Sequence, residues 1–246
     1  MGNNPFAPQF APKQPAPSNA RLAATVTNIL RTPELAQINF QLGGLNVRGG
    51  RFMEVANAIG AGRIKCWTVA EFRSQGRDEL APGKIVEARY EIKTNAMLFS
   101  SDDYGTNPGE DRTVVHESVH AAFDLNTPKG QKVKNLSIDD EAAAVVAVAF
   151  YIRLCKRQIG AFLMDAEGPE KPALELVDSL LGNSVNNAVP GPYNITLEDA
   201  RAVRDAVAVS RRFNTYIGSD GLLTDNSGAL YVYEGVPACS LRAGCK

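Results

Sequence analysis

Thr113-Val114-Val115-His116-Glu117-Ser118-Val119-His120-Ala121-Ala122-Phe123-Asp124 contains both histidines of the 246-residue chain. The stretch has helical character, with Glu110 and Asp111 in a first turn where acidic side chains complement the helix dipole. It should end before Thr127-Pro128. Residues four apart on a helix lie one above the other on the same face, so both imidazoles of this HExxH pattern reach a common point. Glu117 is turned by one residue, beside that point. Two neutral nitrogen ligands, one carboxylate and one open coordination position are what a water-activating metal site needs. Ala121, Ala122, Ser118 and Val119 are uncharged, so the helix can be buried except along its metal face. The competing reading is a helix whose two histidines only hydrogen-bond to nearby carboxylates.

A catalytic zinc ion takes three protein ligands. With no third histidine in the chain, a carboxylate or, less readily, a cysteine must complete the set. Phe123 and Asn126 occupy the positions where an extended HExxHxxGxxH motif requires Gly and His, which excludes the metzincin arrangement. Asp139, Asp140 and Glu141 open the next helix, with twenty residues between His120 and Glu141. Ser137-Ile138-Asp139-Asp140 has capping-box spacing, and simple N-terminal capping is the plainer reading of these acids.

In these residues the chain resembles the gluzincin metallopeptidases, the group that includes thermolysin. They share HExxH followed by Ala and then Asp, here Ala121 and Asp124, and a glutamate on the following helix in an Asn-Glu-Ala context, here Asp140-Glu141-Ala142. The resemblance implies an α+β, zincin-like, helix-rich fold with a small sheet before the HExxH helix. It implies one zinc ion on His116, His120 and Glu141, and peptide-bond hydrolysis with Glu117 as general base. It also implies that Asn95-Ala96 hydrogen-bond the backbone of a peptide substrate, by pairing at an edge strand. Two departures stand out. The family places an aspartate four residues after its ligand glutamate to orient a zinc-bound histidine, and here that position is Val145; Asp124 is the available substitute beside His120. The family's oxyanion-stabilising histidine is missing too, leaving Tyr193, Tyr216, Arg211 and Arg212 as candidates. The likeness covers roughly residues 95–150.

Working outward, residues 1–20 hold five prolines and one charged side chain, Lys13, and are expected to form a disordered arm. Residues 21–246 are expected to form one domain. Leu22–Leu30, Pro33–Phe40 and Phe52–Ile59 read as helices, broken by Gly43-Gly44, Gly49-Gly50 and Gly60. Ile85–Ile92 and Asn95–Phe99 read as strands. Ile138–Met164 should be a helix, and because residues 142–152 are apolar all round it should be buried on every side. A third long helix is expected from Thr196, and a terminal strand over Ala229–Tyr233.

Composition narrows the function classes. A net charge of −1 gives no electrostatic footprint for nucleic acid. The longest apolar run, eleven residues from Ala142 to Ile152, is too short to span a bilayer. The opening residues lack the apolar core of a secretory signal, which favours a soluble cytoplasmic protein, with export by another route left open. Cys239 and Cys245 are spaced either to close a small loop or to remain free thiols. Two rivals to a general peptidase remain: a catalytically silent zincin-like interaction domain, and an exported effector peptidase with one narrow protein substrate. Oligomeric state is not legible.

Overall fold

The computed structural model describes residues 19–75, 87–129, 131–155, 168–182, 191–210, 230–233 and 235. Among them are eight α-helices and three small sheets, an α+β arrangement dominated by helix. Helix α1 (Ala20–Leu30) starts at Asn19, whose side chain accepts from the Leu22 amide, and it buries Leu22, Val26, Ile29 and Leu30 along one stripe. Helix α2 (Pro33–Ala36) is a single turn. Strand β1 (Asn39–Leu42) follows, so the helix expected over Pro33–Phe40 is cut short. The reason is tertiary. Phe40 and Leu42 alternate into the core, and β1 pairs with β2 (Leu45–Arg48) across Gly43-Gly44, both at positive φ as a two-residue hairpin loop requires.

Gly49-Gly50, expected as a break, instead opens helix α3 (Gly49–Gly60). A Cβ on Gly49 would lie 2.3 Å from the Ala36 carbonyl oxygen and 2.5 Å from its carbon, so glycine is there for close backbone approach. Phe52, Val55, Ala56 and Ile59 form its buried face, as the sequence indicates.

Next comes β3 (Lys65–Thr68), a strand that sequence reasoning missed, and the short helix α4 (Val69–Ser74), capped reciprocally by Thr68 and Glu71. Strands β4 (Ala88–Glu91) and β5 (Ala96–Phe99) lie within the two expected strand regions; residues 85 and 86 fall outside the described part. The sheet order is β3-β5-β4, parallel on one side of β5 and antiparallel on the other. Among the described residues β5 is therefore central and β4 an edge.

Helix α5 (Pro108–Asn126) carries HExxH. Asn107 caps it, accepting from the Gly109 and Glu110 amides at 3.0 Å, and Pro108 stands in the first turn, where its missing N–H costs nothing. β6 (Val133–Leu136) then leads directly into α6 (Ser137–Leu154). Every residue from Ala142 to Ile152 is buried, as the all-round apolar run predicts. This is the central helix, packed by α5, by α7 (Glu170–Leu181) and by α8 (Arg201–Val209). The small side chains Ala142, Ala143 and Ala144 favour a short interaxial distance at the start of α6, next to its acidic residues. The portion of the expected helix beyond residue 155 lies outside the described residues.

Helix α8 starts five residues later than expected from Thr196. Thr196 and Asp199 instead exchange side-chain hydrogen bonds in the preceding turn, with the Asp199 amide donating to Thr196 Oγ1 at 3.1 Å and Asp199 Oδ2 accepting from the Thr196 amide at 3.0 Å. β7 (Tyr193–Ile195) adds to β1 in the order β2-β1-β7, and β8 (Leu230–Tyr233) pairs antiparallel with β6. One hydrophobic cluster extends from Leu22 to Val207, and a smaller one of Trp67, Phe72, Ala96 and Leu98 forms between α4 and the β3-β5-β4 sheet. No described helix is long and apolar enough to cross a membrane.

Candidate metal centre

Helices α5 and α6 bring together the three residues singled out as ligands. His116 Nε2 lies 2.9 Å from Glu141 Oε2, His120 Nε2 lies 3.6 Å from the same oxygen, and the two Nε2 atoms are 3.3 Å apart. The three donor atoms thus form a compact, unequal triangle. Bonds of about 2.0–2.1 Å to a tetrahedral ion require donor separations of about 3.3 Å, and the three sides of this triangle bracket that value. The rings meet at 70°, with centroids 5.0 Å apart, which lets both Nε2 atoms converge without the rings stacking. His116, His120 and Glu141 are 8%, 6% and 4% exposed. A carboxylate buried to that degree demands a cation beside it, either a protonated imidazole or a metal ion.

Among the protein groups themselves, the imidazole supplies that positive charge. Burial by itself would push the His120 pKa down, but the Glu141 charge and hydrogen bonds to Asp140 and Glu141 hold it well above its ordinary value. Burial would likewise push Glu141 up, yet the charge of His120 and the hydrogen bonds from His116 and His120 hold its carboxyl far below the usual range. Glu141 is thereby kept as a carboxylate, the form in which it can act as a ligand.

His120 Nδ1 faces Asp140 Oδ1 at 3.0 Å, and Asp140 is fully buried. With Nδ1 carrying the proton, that contact directs Nε2 at the cluster, the usual carboxylate–histidine support of a metal ligand. Sequence reasoning missed this role and treated Asp140 as a helix-start charge. It named Asp124 as the partner of His120, and the structure corrects this. The Asp124 carboxylate instead accepts from the Tyr90 hydroxyl at 2.7 Å and from the Gly235 amide at 3.0 Å. The acidic triplet divides its work three ways, because Asp139 pairs with Arg204 Nε of α8 at 2.6 Å. A signal was present in the triplet itself: dipole complementation asks for one or two acids in a first turn, not three consecutive ones that face in different directions.

Glu117 projects toward the β3-β5-β4 sheet. Its Oε2 accepts a hydrogen bond from the Tyr90 amide at 2.7 Å, joining the middle of HExxH to edge strand β4. Asn95 and Ala96 do not lie at an edge. Ala96 is fully buried in central strand β5, paired with Lys65 on one side and Glu91 on the other. Asn95 makes the preceding left-handed turn at φ 51, and its carbonyl accepts from the Lys65 amide at 2.9 Å. Among the described residues, the edge strand of this sheet next to Glu117 is β4.

Among the oxyanion candidates, Tyr193 is a packing residue. Its ring stacks on Phe150 with centroids 5.4 Å apart, and Phe150 lies nine residues along α6 from Glu141, about 13 Å of helix. Arg211, Arg212 and Tyr216 lie outside the described residues, as do Cys239 and Cys245 and the arm over residues 1–18. Cys66 is buried and Cys155 half-buried.

Set against protein-family models, curated proteins and solved structures, the chain shows no significant match to any of them. Its reading therefore rests on the site geometry.

Proposed function

We propose that the chain is a zinc-dependent peptidase with a zincin-like fold, hydrolysing peptide bonds at the His116–His120–Glu141 centre. The observation that carries this reading is the donor triangle of 2.9, 3.3 and 3.6 Å with Glu117 on the same helix. Two imidazoles and one carboxylate are a ligand set that zinc favours in hydrolytic sites. A divalent ion held there supplies Lewis acidity toward a carbonyl oxygen and makes water a stronger nucleophile at neutral pH.

The chain's own residues supply the rest. His116, His120 and Glu141 bind, and Asp140 fixes the orientation of His120. Glu117, anchored through Oε2, takes the proton of the attacking water on Oε1 and passes it to the leaving amine. General acid–base help of this kind is worth about 10²–10⁴-fold in rate. Edge strand β4, next to Glu117, offers main-chain groups to an extended peptide, which favours an unfolded or flexible polypeptide as substrate.

The test is elemental analysis of the purified full chain, followed by a cleavage assay on a reduced, unfolded protein with and without a zinc chelator. One zinc per chain and chelator-sensitive cleavage are expected. Glu117→Ala should lose activity by at least about 10²-fold while keeping its zinc. Zinc bound at full stoichiometry with no cleavage of any peptide in a broad panel would overturn the peptidase reading.

A further inference from the structure

Tyr90 touches the HExxH helix at both of its ends. Its main-chain N–H donates to Glu117 Oε2 at 2.7 Å, and its hydroxyl donates to Asp124 Oδ2 at 2.7 Å. Glu117 and Asp124 lie seven residues apart on α5, two turns of one helix face. β4 is thus fastened to α5 at two points, one through backbone and one through side chain. The side-chain point is well buried: Asp124 is 1% exposed and Tyr90 5%. Asp124 is itself fixed from a second direction, its Oδ1 accepting from the Gly235 amide at 3.0 Å. Gly235 has φ +83, and a Cβ there would lie 2.4 Å from the Thr127 carbonyl oxygen, so this approach to the end of α5 is specific to glycine.

We propose that Tyr90 is a positioning residue for Glu117, and that its bond to Asp124 sets the register of edge strand β4 along the active-site helix so that amide 90 holds the base. This rests on the peptidase reading only for its kinetic consequence; the positioning itself is a statement about geometry. A strand with one strand partner among the described residues can shift along that neighbour, while the phenol–carboxylate bond fixes where Tyr90 stops. A charge-assisted hydrogen bond in a buried setting is among the stronger local constraints available to such a strand.

The experiment uses the full, zinc-loaded chain labelled with ¹⁵N. The amide resonance of residue 90 is identified by its displacement in Glu117→Ala, where its acceptor is gone. In Tyr90→Phe, which keeps the ring and its packing, that resonance is expected to move toward its Glu117→Ala position while zinc content stays unchanged. Asp124→Ala should displace it the same way, and the double variant should add little, because both remove one and the same bond. Where the wild type cleaves an unfolded protein, Tyr90→Phe should lower kcat about tenfold, the equivalent of one hydrogen bond, with KM unchanged. A residue that merely stabilises the fold would lower Tm and leave amide 90 in place. That result overturns the proposal, as does a fall in kcat with no movement of the resonance. A wild type without cleavage removes the peptidase reading, and the amide shift still decides the positioning.

Discussion

Asp140 Oδ1 stands 3.0 Å from His120 Nδ1 across twenty residues of sequence, and the next residue, Glu141, reaches His116 with its own carboxylate. One helix start therefore supplies both a candidate ligand and the support of another. Successive residues on a helix differ in direction by about 100°, so neighbours can meet two different histidines only because α5 crosses close to the first turn of α6.

Asp140→Ala should weaken zinc binding by about 10–100-fold, the usual loss when a histidine ligand loses its carboxylate partner. Competition against a chromophoric chelator measures it. Asp124→Ala, by contrast, should leave zinc affinity close to wild type, because Asp124 bonds Tyr90 and Gly235 and not His120.

Burial, followed by the Asp124 charge and hydrogen bond, raises the Tyr90 pKa well above its ordinary value of 10.0. The folded protein thus holds this proton to higher pH than the unfolded chain does. The associated stability is fully present below pH ~10 and is lost as pH rises through the folded value. Tyr90→Phe lacks this dependence, so its stability deficit against wild type should shrink above pH ~10. Urea midpoints compared at pH 8 and at pH about 10.5–11 test the sign; a deficit that grows with pH would refute it.

Arg204 Nε and Asp139 Oδ1 are 2.6 Å apart, with side-chain exposures of 25% and 14%. Arg204→Ala should cost about 1–2 kcal/mol in chemical unfolding, a charge-assisted bond moderated by partial solvent contact. Zinc stoichiometry should remain unchanged. Arg204→Lys should recover only part of the loss, since an ammonium cannot reproduce the planar guanidinium geometry.

Gly49→Ala should destabilise the fold by about 3 kcal/mol, the upper range for overpacking, because the added methyl meets main-chain atoms of Ala36 that cannot rotate away. Gly50→Ala is the control. No heavy atom lies within 4 Å of its added Cβ, and alanine is the better helix former, so it should be neutral or mildly stabilising. Thermal unfolding of the two variants side by side distinguishes them.

The two histidines of the candidate metal centre were legible because helical spacing is local information. Four residues separate His116 from His120, and that interval fixes their shared face before any tertiary contact forms. The all-apolar run from Ala142 to Ile152 was legible for a similar reason, since a helix with no polar face has to be central. Strand β3 and the strand end of Pro33–Phe40 were not legible. Four-residue strands carry little periodicity, and their state is decided by partners far along the chain, β5 for one and β2 and β7 for the other.

The sequence by itself determined that two histidines share one face of a helix with a glutamate turned beside them, and that an acidic triplet follows on the next. The resemblance had already pointed to Glu141 as the third donor; only tertiary structure decided what the other acids do: Asp139 to Arg204, Asp140 to His120, and Asp124 away from the histidines to Tyr90. The physical reason is that a carboxylate's partner depends on direction and distance in space. Those are set by how closely α5, α6 and the edge of the β3-β5-β4 sheet pack, and no residue spacing encodes that packing.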